Sequence, residues 1–335
     1  MDSRKTWAVA AGLALLTGGV AVASWAGSAD AEELKIGTLA PKQSIWGQVF
    51  QVWETAVDKK TDGKLQLQFF YNGQQGDEAA MVGKMKAGQL DGAAITAVGL
   101  SKIYLPVLAL QLPGALNTWD KLEAAQSQLR GEFETGIKNG GFDLLGWGNV
   151  GQAHFFTKGS SVTVPDDLKS KKIYVWRDDN IAPVLYNVVG ATTVPLNVPE
   201  VLPQLRTGAV NALNAPALAV EQLQWGGELD GVSSDVTGCA IGALVFSSSK
   251  VAALPGDLRE VLVSTGGFAS MALGQKVKDE DGAAFTRLSG KMSVVNYSDS
   301  DRAAWSKVFA ETRTRLGQGT FDSALIKKIE GIAGL

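Results

Sequence analysis

The chain has 335 residues, about two domains' worth, and 45 % apolar with 19 % charged residues is a globular composition that excludes collagen-like and disordered classes. Lys and Arg number 31 against 34 Asp and Glu, so a net charge of −3 offers no basic field to a phosphate backbone, and no nucleic-acid partner is expected. One cysteine (Cys239) and one histidine (His154) cannot build a Cys/His zinc site, a disulfide framework or a redox pair, so neither a metal nor a cofactor is expected.

Residues 1–31 open with Arg4 and Lys5, continue through an apolar run from Trp7 to Leu16 and reach Ala29-Asp30-Ala31, an A-x-A cleavage pattern. They read as a secretory signal peptide, with a mature chain starting at Glu32 outside the cytoplasm. The rival reading is an uncleaved anchor, because the apolar stretch extends to about Gly27. Gly18, Gly19 and Ser24 dilute that stretch, and the small-residue site follows at once. Nothing later in the chain is long and apolar enough to span a bilayer, and Cys239 is expected to be free and buried.

Residues 34–38 predict a strand, and beyond Pro41 the positions Val49, Phe50, Trp53, Ala56 and Val57 fall at helical spacing. After the Asp62-Gly63 turn, Leu65, Leu67 and Phe69 alternate with Lys64, Gln66 and Gln68 as in a half-buried strand. A helix follows over 78–87, closed by Gly88. Further strands are predicted at 92–97, 142–146, 172–176, 192–195, 210–214 and 244–247, separated by helical stretches such as 119–138 and 182–189. This alternation predicts an α/β fold with largely parallel sheets. Long helices close the chain at 256–278 and 301–316, the second opened by Ser298-Asp-Ser-Asp301, a capping-box pattern.

Several stretches are collinear with one family. Leu34-Lys-Ile-Gly-Thr-Leu-Ala-Pro41, Gly76-Asp-Glu78, Lys86-Ala-Gly-Gln-Leu-Asp-Gly92, Pro165-Asp-Asp-Leu-Lys169 and Val201-Leu-Pro-Gln-Leu-Arg-Thr-Gly208 follow one another as they do in the DctP-type receptors of tripartite ATP-independent periplasmic (TRAP) transporters. The chain resembles these solute-binding receptors from about residue 34 to about residue 285. The resemblance implies a two-lobed periplasmic binding protein fold with a ligand cleft between lobes and long bracing helices. It places one lobe at 32–151 plus 240–279 and the other at 152–239 plus 280–335. It implies a monomer that closes on a small organic acid and delivers it to the membrane permease subunits.

The family places its carboxylate-binding arginine in a Lys-Ile-Arg-Val strand, and this chain reads Lys172-Ile-Tyr-Val175. Tyr174 therefore offers one neutral hydrogen bond and an aromatic face where a guanidinium fork is expected. Arg177 is the candidate substitute clamp, the opposing reading being a surface arginine balanced by Asp178 and Asp179. Trp46, Trp147 and Trp176 are candidates to stack on a flat solute, with Phe155 and Trp225 nearby in the same argument and core packing as the alternative for each. Asn214 matches a polar, ligand-contacting family position, and His154 stands where many relatives carry an arginine. Asn72 and Glu78 are polar candidates from the first lobe. The alternative, should Arg177 be a surface residue, is the same receptor type binding a neutral or aromatic solute in a tryptophan-lined cleft.

Two enzyme signals compete. Gly146-Trp-Gly-Asn-Val-Gly151 fits the dinucleotide fingerprint G-x-G-x-x-G, which needs a helix directly after it, yet Gln152–Ser160 is aromatic and reads as a strand. Ser247-Ser-Ser-Lys250 fits S-x-x-K, but the Ser-Asp-Asn and Lys-Thr-Gly partners are missing. A secreted nucleotide-dependent enzyme is thus the remote alternative to a receptor, and no catalytic residue is assigned.

Overall fold

The computed structural model describes residues 31–335, so the signal-peptide reading falls, save for Ala31, outside the described residues. The strands are β1 (Glu32–Thr38), β2 (Leu65–Phe70), β3 (Gly92–Thr96), β4 (Phe142–Thr157), β5 (Lys172–Trp176), β6 (Thr192–Leu196), β7 (Ala212–Pro216), β8 (Gly231–Ser233), β9 (Gly238–Ser247) and β10 (Ser293–Val295). The helices are α1 (Ile45–Lys60), α2 (Glu78–Lys86), α3 (Ala97–Leu100), α4 (Trp119–Asn139), α5 (Ala182–Val189), α6 (Val198–Thr207), α7 (Ala217–Gln222), α8 (Ser248–Ala253), α9 (Gly256–Ser289), α10 (Asp299–Leu316) and α11 (Ser323–Ala333). No described helix is long and apolar enough to cross a membrane.

Local chemistry accounts for the ends and faces of these elements. Ser44 Oγ accepts from Gly47 N at 3.1 Å and starts α1, whose stripe Phe50, Trp53 and Val57 is buried. In β2, Leu65, Leu67 and Phe69 point inward and Gln66 and Gln68 outward, as strand alternation requires. The Ser298/Asp301 capping box opens α10, with Asp301 Oδ2 accepting from Ser298 N at 2.9 Å.

The main sheet runs β2-β1-β3-β9-β4-β7-β5-β6. Its pairing corrects the expectation of a largely parallel sheet. β1 is parallel to β2 and β3, and β5 is parallel to β6 and β7, but β3–β9, β9–β4 and β4–β7 are antiparallel. Two parallel halves are therefore joined through an antiparallel centre made of β4 and β9, among the described residues the only strands that run between them. β4 has 16 residues, where the sequence predicts a strand ending at Gly146.

The glycines in β4 explain that extension. A Cβ at Gly151 would sit 2.5 Å from Asp281 Oδ1 and 2.6 Å from Pro216 Cβ, and φ there is +144°. Gly146 lets Ser270 of α9 lie on the strand, 2.5 Å from where its own Cβ would be. The 34-residue α9, about 50 Å long at 1.5 Å per residue, thus lies directly across the sheet centre. On one side Trp53 Nε1 of α1 donates to Thr265 Oγ1 at 2.9 Å. On the other the buried Asp281 accepts from Leu218 N at 2.9 Å and Gln152 N at 2.7 Å. This helix is the brace between the two halves, and it continues 11 residues past its predicted end at Lys278.

Candidate functional site

A cavity of about 290 Å³ opens where the carboxyl ends of β1, β3, β5 and β7 converge on the β4/β9 centre. Thr38, Thr96, Trp176 and Pro216, the last residues of those four strands, all line it. Carboxyl ends of parallel strands leave backbone groups and short loops free to meet a ligand, which is why α/β sheets bind there. Here two such edges face one another.

Of the eleven sequence candidates, the structure brings Tyr174, Trp46, Trp176, Asn214, Phe155, Trp225 and Glu78 to this cavity. Tyr174 and Trp176 are two apart on β5 and so share a face. Tyr174 packs edge-on against Trp225, with ring centroids 5.8 Å apart, and its buried hydroxyl has no hydrogen-bond partner. Burial raises the phenol pKa well above 10, so the hydroxyl stays a neutral donor. Trp46 Nε1 reaches Asn149 O at 3.4 Å, and the Asn214 amide is hydrogen-bonded to Thr237 Oγ1 at 2.9 Å.

The other four sit elsewhere. Arg177 follows the end of β5, where its side chain turns outward, is half exposed and pairs with Glu200 at 3.3 Å. Lys102 takes the Asp178 charge instead, at 3.5 Å. Trp147 lies against α4, with Nε1 3.4 Å from Glu134 Oε1 and its ring 6.5 Å from Phe133. His154 is buried, holds Ser233 O through Nδ1 at 3.0 Å and stacks on Phe285 at 4.4 Å. Desolvation lowers its pKa to about 4, so it is a neutral structural imidazole. Asn72 lines a separate cavity of about 320 Å³ that shares Leu39, Pro41, Val198, Leu223 and Trp225 with the first.

Glu78 and Asp179 are acidic groups in the main cavity's wall. Glu78 accepts from Thr96 N, Thr96 Oγ1 and Gly99 N, each at 2.8 Å, and burial nonetheless raises its pKa to about 8. Asp179 accepts from Ile181 N at 2.7 Å ahead of α5, its pKa likewise raised by desolvation. Among the described residues, no lysine, arginine or histidine lines the cavity. Cys239 does, with its thiol pushed up to about 12 by burial, so it is no nucleophile at neutral pH.

Asp77 ties the two edges together. Its carboxylate accepts from Glu78 N at 2.7 Å at the start of α2, and also from Val198 N at 3.0 Å at the start of α6. Trp176 Nε1 donates to both of its oxygens at 3.1 Å. One side chain from the β1 half thus holds a helix end and an indole from the β5 half.

Reasoning from sequence did not single out Gln111, Ser270 or Thr237. Thr96 was findable, as a polar residue closing an apolar strand. Ser270, in mid-α9, is defined only by the packing of that helix over Gly146. The 146–151 glycines lie inside β4 and no helix follows them, so they provide no helix N-terminus for a pyrophosphate. Among the described residues, no group of three His, Cys, Asp or Glu side chains is placed to hold a metal ion.

Known proteins share this architecture. A TRAP periplasmic solute-binding protein from Sulfurospirillum deleyianum, solved with bound succinate, superposes with a TM-score of 0.84 at 18 % identity over 90 % of this chain and 99 % of that one. One from Roseobacter denitrificans, solved with bound β-D-glucuronate, gives 0.81 at 14 % identity over 89 % and 99 %. In sequence, a solute-binding protein of Roseobacter denitrificans is 27 % identical over 213 residues, 61 % of this chain and 63 % of that protein. The chain spans 49 % and 48 % of the length of two further curated relatives that it matches. The fold is thus the two-lobed α/β fold of periplasmic solute-binding proteins. Residues 36–316 match the model of the bacterial extracellular solute-binding proteins of family 7, the DctP family, and the chain belongs to that family.

Proposed function

We propose that this protein is a periplasmic receptor that captures a small organic acid by closure of two lobes and delivers it to the membrane subunits of a TRAP transporter. The observation that carries this reading is the cavity itself, formed by strand ends of two half-sheets that β4 and β9 join. Residues 32–151 plus 240–279 make one lobe, residues 152–239 plus 280–335 the other, and the receptor acts as a monomer after loss of its signal peptide. Bending of β4, β9 and α9 moves one half against the other, and the solute supplies contacts that exist only when the lobes meet. Succinate and glucuronate in the related structures support an acid as the solute. Tyr174, Trp46, Trp176 and Asn214 make the contacts, and no chemical step is involved.

A thermal-shift screen of the protein against organic acids, with neutral sugars and polyols as controls, tests the reading. An acid at about 100 times its dissociation constant stabilises the fold by roughly 2.7 kcal/mol, a shift of several degrees. Stabilisation by the neutral controls alone overturns the acid, and stabilisation by nucleotides overturns the receptor.

A further inference from the structure

We propose that the cavity takes an acid with a single carboxyl group and an apolar body, held by neutral donors, and rejects acids that carry a second charge or a ring of hydroxyls. The proposal rests on the receptor reading and narrows its solute class. Three observations carry it.

The first is the absence of a counter-charge. Among the described residues no cation lines the cavity: Arg177 and Lys102 are turned to Glu200 and Asp178, and the buried Arg313, which donates to Pro113 O at 2.7 Å behind the wall, is paired with Glu330 at 2.7 Å. A buried carboxylate is tolerated when several hydrogen-bond donors meet it, but two of them without a cation are not. The second is the sign of the wall. Glu78 and Asp179 spend their oxygens on backbone donors and the Thr96 hydroxyl, so they present the solute with negative charge or a bare protonated carboxyl, never with a cation. A second carboxylate would find no cation in this wall to offset the loss of its water.

The third is the small number of free polar groups. Tyr174 and Gln111 line the cavity, and the buried Tyr174 OH and Gln111 Oε1 have no hydrogen-bond partner, whereas the unpartnered Ser270 Oγ lies against Gly146 of β4. One hydroxyl donor and one amide acceptor suit one carboxylate with an adjoining hydroxyl, or one protonated carboxyl. A sugar acid carries many hydroxyls, and each one set against Trp46, Phe155, Val198, Leu273 or Phe309 would lose its water without replacement. Those walls suit an aromatic or branched aliphatic body.

Calorimetric titration of the purified protein with phenylacetate, succinate, D-glucuronate and 2-phenylethanol decides the matter. Phenylacetate is expected to bind at least tenfold tighter than succinate and glucuronate, and Tyr174→Phe to weaken it by about tenfold. Tyr174→Arg, which restores a cation at this strand position, is expected to bring succinate above phenylacetate. Should that variant not fold, the Tyr174→Phe ratio and the wild-type ranking still stand as the test. Succinate or glucuronate binding tighter than phenylacetate to the wild type overturns this proposal and leaves the acid receptor intact. Binding of 2-phenylethanol in preference to phenylacetate overturns the acid reading and this proposal with it. No binding by any of the four at millimolar concentration overturns both.

Discussion

Replacing Asp77 by alanine should open the cleft. In the structure its carboxylate receives Val198 N at 3.0 Å and Trp176 Nε1 at 3.1 Å from the β5 half, while Glu78 N, its third donor, belongs to its own half. Only the first two bonds are lost when the halves separate. A hydrogen bond to a charged acceptor contributes about 1.5–3 kcal/mol net. Desolvation raises the Asp77 pKa and weakens its hold as a charged acceptor, so the lower figure applies to each bond. Two such bonds favour the closed arrangement by about 3 kcal/mol. In the Asp77→Ala variant both donors stay buried without an acceptor if the halves remain together, but water meets them if the halves part. The closed-to-open ratio should therefore fall by a factor of about 100.

Two labels on opposite halves read this directly. Val52 on α1 is 69 % exposed and the Asp166 side chain 78 %, so cysteines placed there accept spin labels. The native Cys239 does not, being buried with a protonated thiol. Asp77→Ala should move the label–label distance distribution to longer values, with thermal unfolding little changed because the open form satisfies its donors. A distribution identical to that of the labelled protein with Asp77 in place would refute the assignment of the carboxylate as the tie between halves.

Further expectations follow from single groups. Glu78 is raised from 4.5 to about 8, so its contribution is present below pH 4.5 and lost as pH rises through 8, at most about 5 kcal/mol at 1.36 kcal/mol per unit. His154 is lowered from 6.5 to about 4, so its contribution of about 3 kcal/mol is present above pH 6.5 and lost as pH falls through 4. The two slopes oppose each other between pH 4.5 and 6.5. Denaturant midpoints should therefore be nearly flat there and fall from pH 6.5 to 8, and His154→Gln should unmask a decline that starts near pH 4.5. A midpoint that rises from pH 6.5 to 8 would contradict the Glu78 assignment. Gly151→Ala, at φ +144° and against Asp281 and Pro216, should lower stability by about 2–5 kcal/mol, and a melting temperature within a degree of the parent's would show that β4 and α9 yield there. Arg177→Ala removes an exposed pair worth about 0.2–1 kcal/mol and should leave solute affinity within twofold, whereas a tenfold loss in titration would return Arg177 to the cleft.

Much of the fold was legible because local signals agreed with one another. β5 at Lys172–Trp176 and α5 at Ala182–Val189 lie where the spacing predicts them, each bounded by turn chemistry. β4 was cut short because Gly146, Gly148 and Gly151 look like breakers, whereas tertiary packing requires small residues at the crossing with α9. α6 carries local signals at both ends, the Asn197/Glu200 capping box and the left-handed Gly208, and only Pro203 in its interior argues against a helix. Pro199 sits in the first turn, where no donor is needed, and α6 forms around Pro203 with its end held by Asp77 from another part of the chain. The antiparallel centre was unreadable, because pairing direction depends on how distant strands meet.

The site divides in the same way. Tyr174, Trp176 and Asn214 were legible because they lie on or at the end of strands, where direction follows from alternation and place in the sheet. Arg177 was not, because beyond the last strand residue the backbone turns and the side chain follows the nearest carboxylate, Glu200. A sequence shows which charge has left a strand, and only the folded surroundings show whether another takes its place. Here none does among the described residues. The cavity lies at the strand ends with no cation among its described lining residues, and on the proposal made above its selectivity comes from what the solute lacks in charge as much as from what it offers in apolar surface.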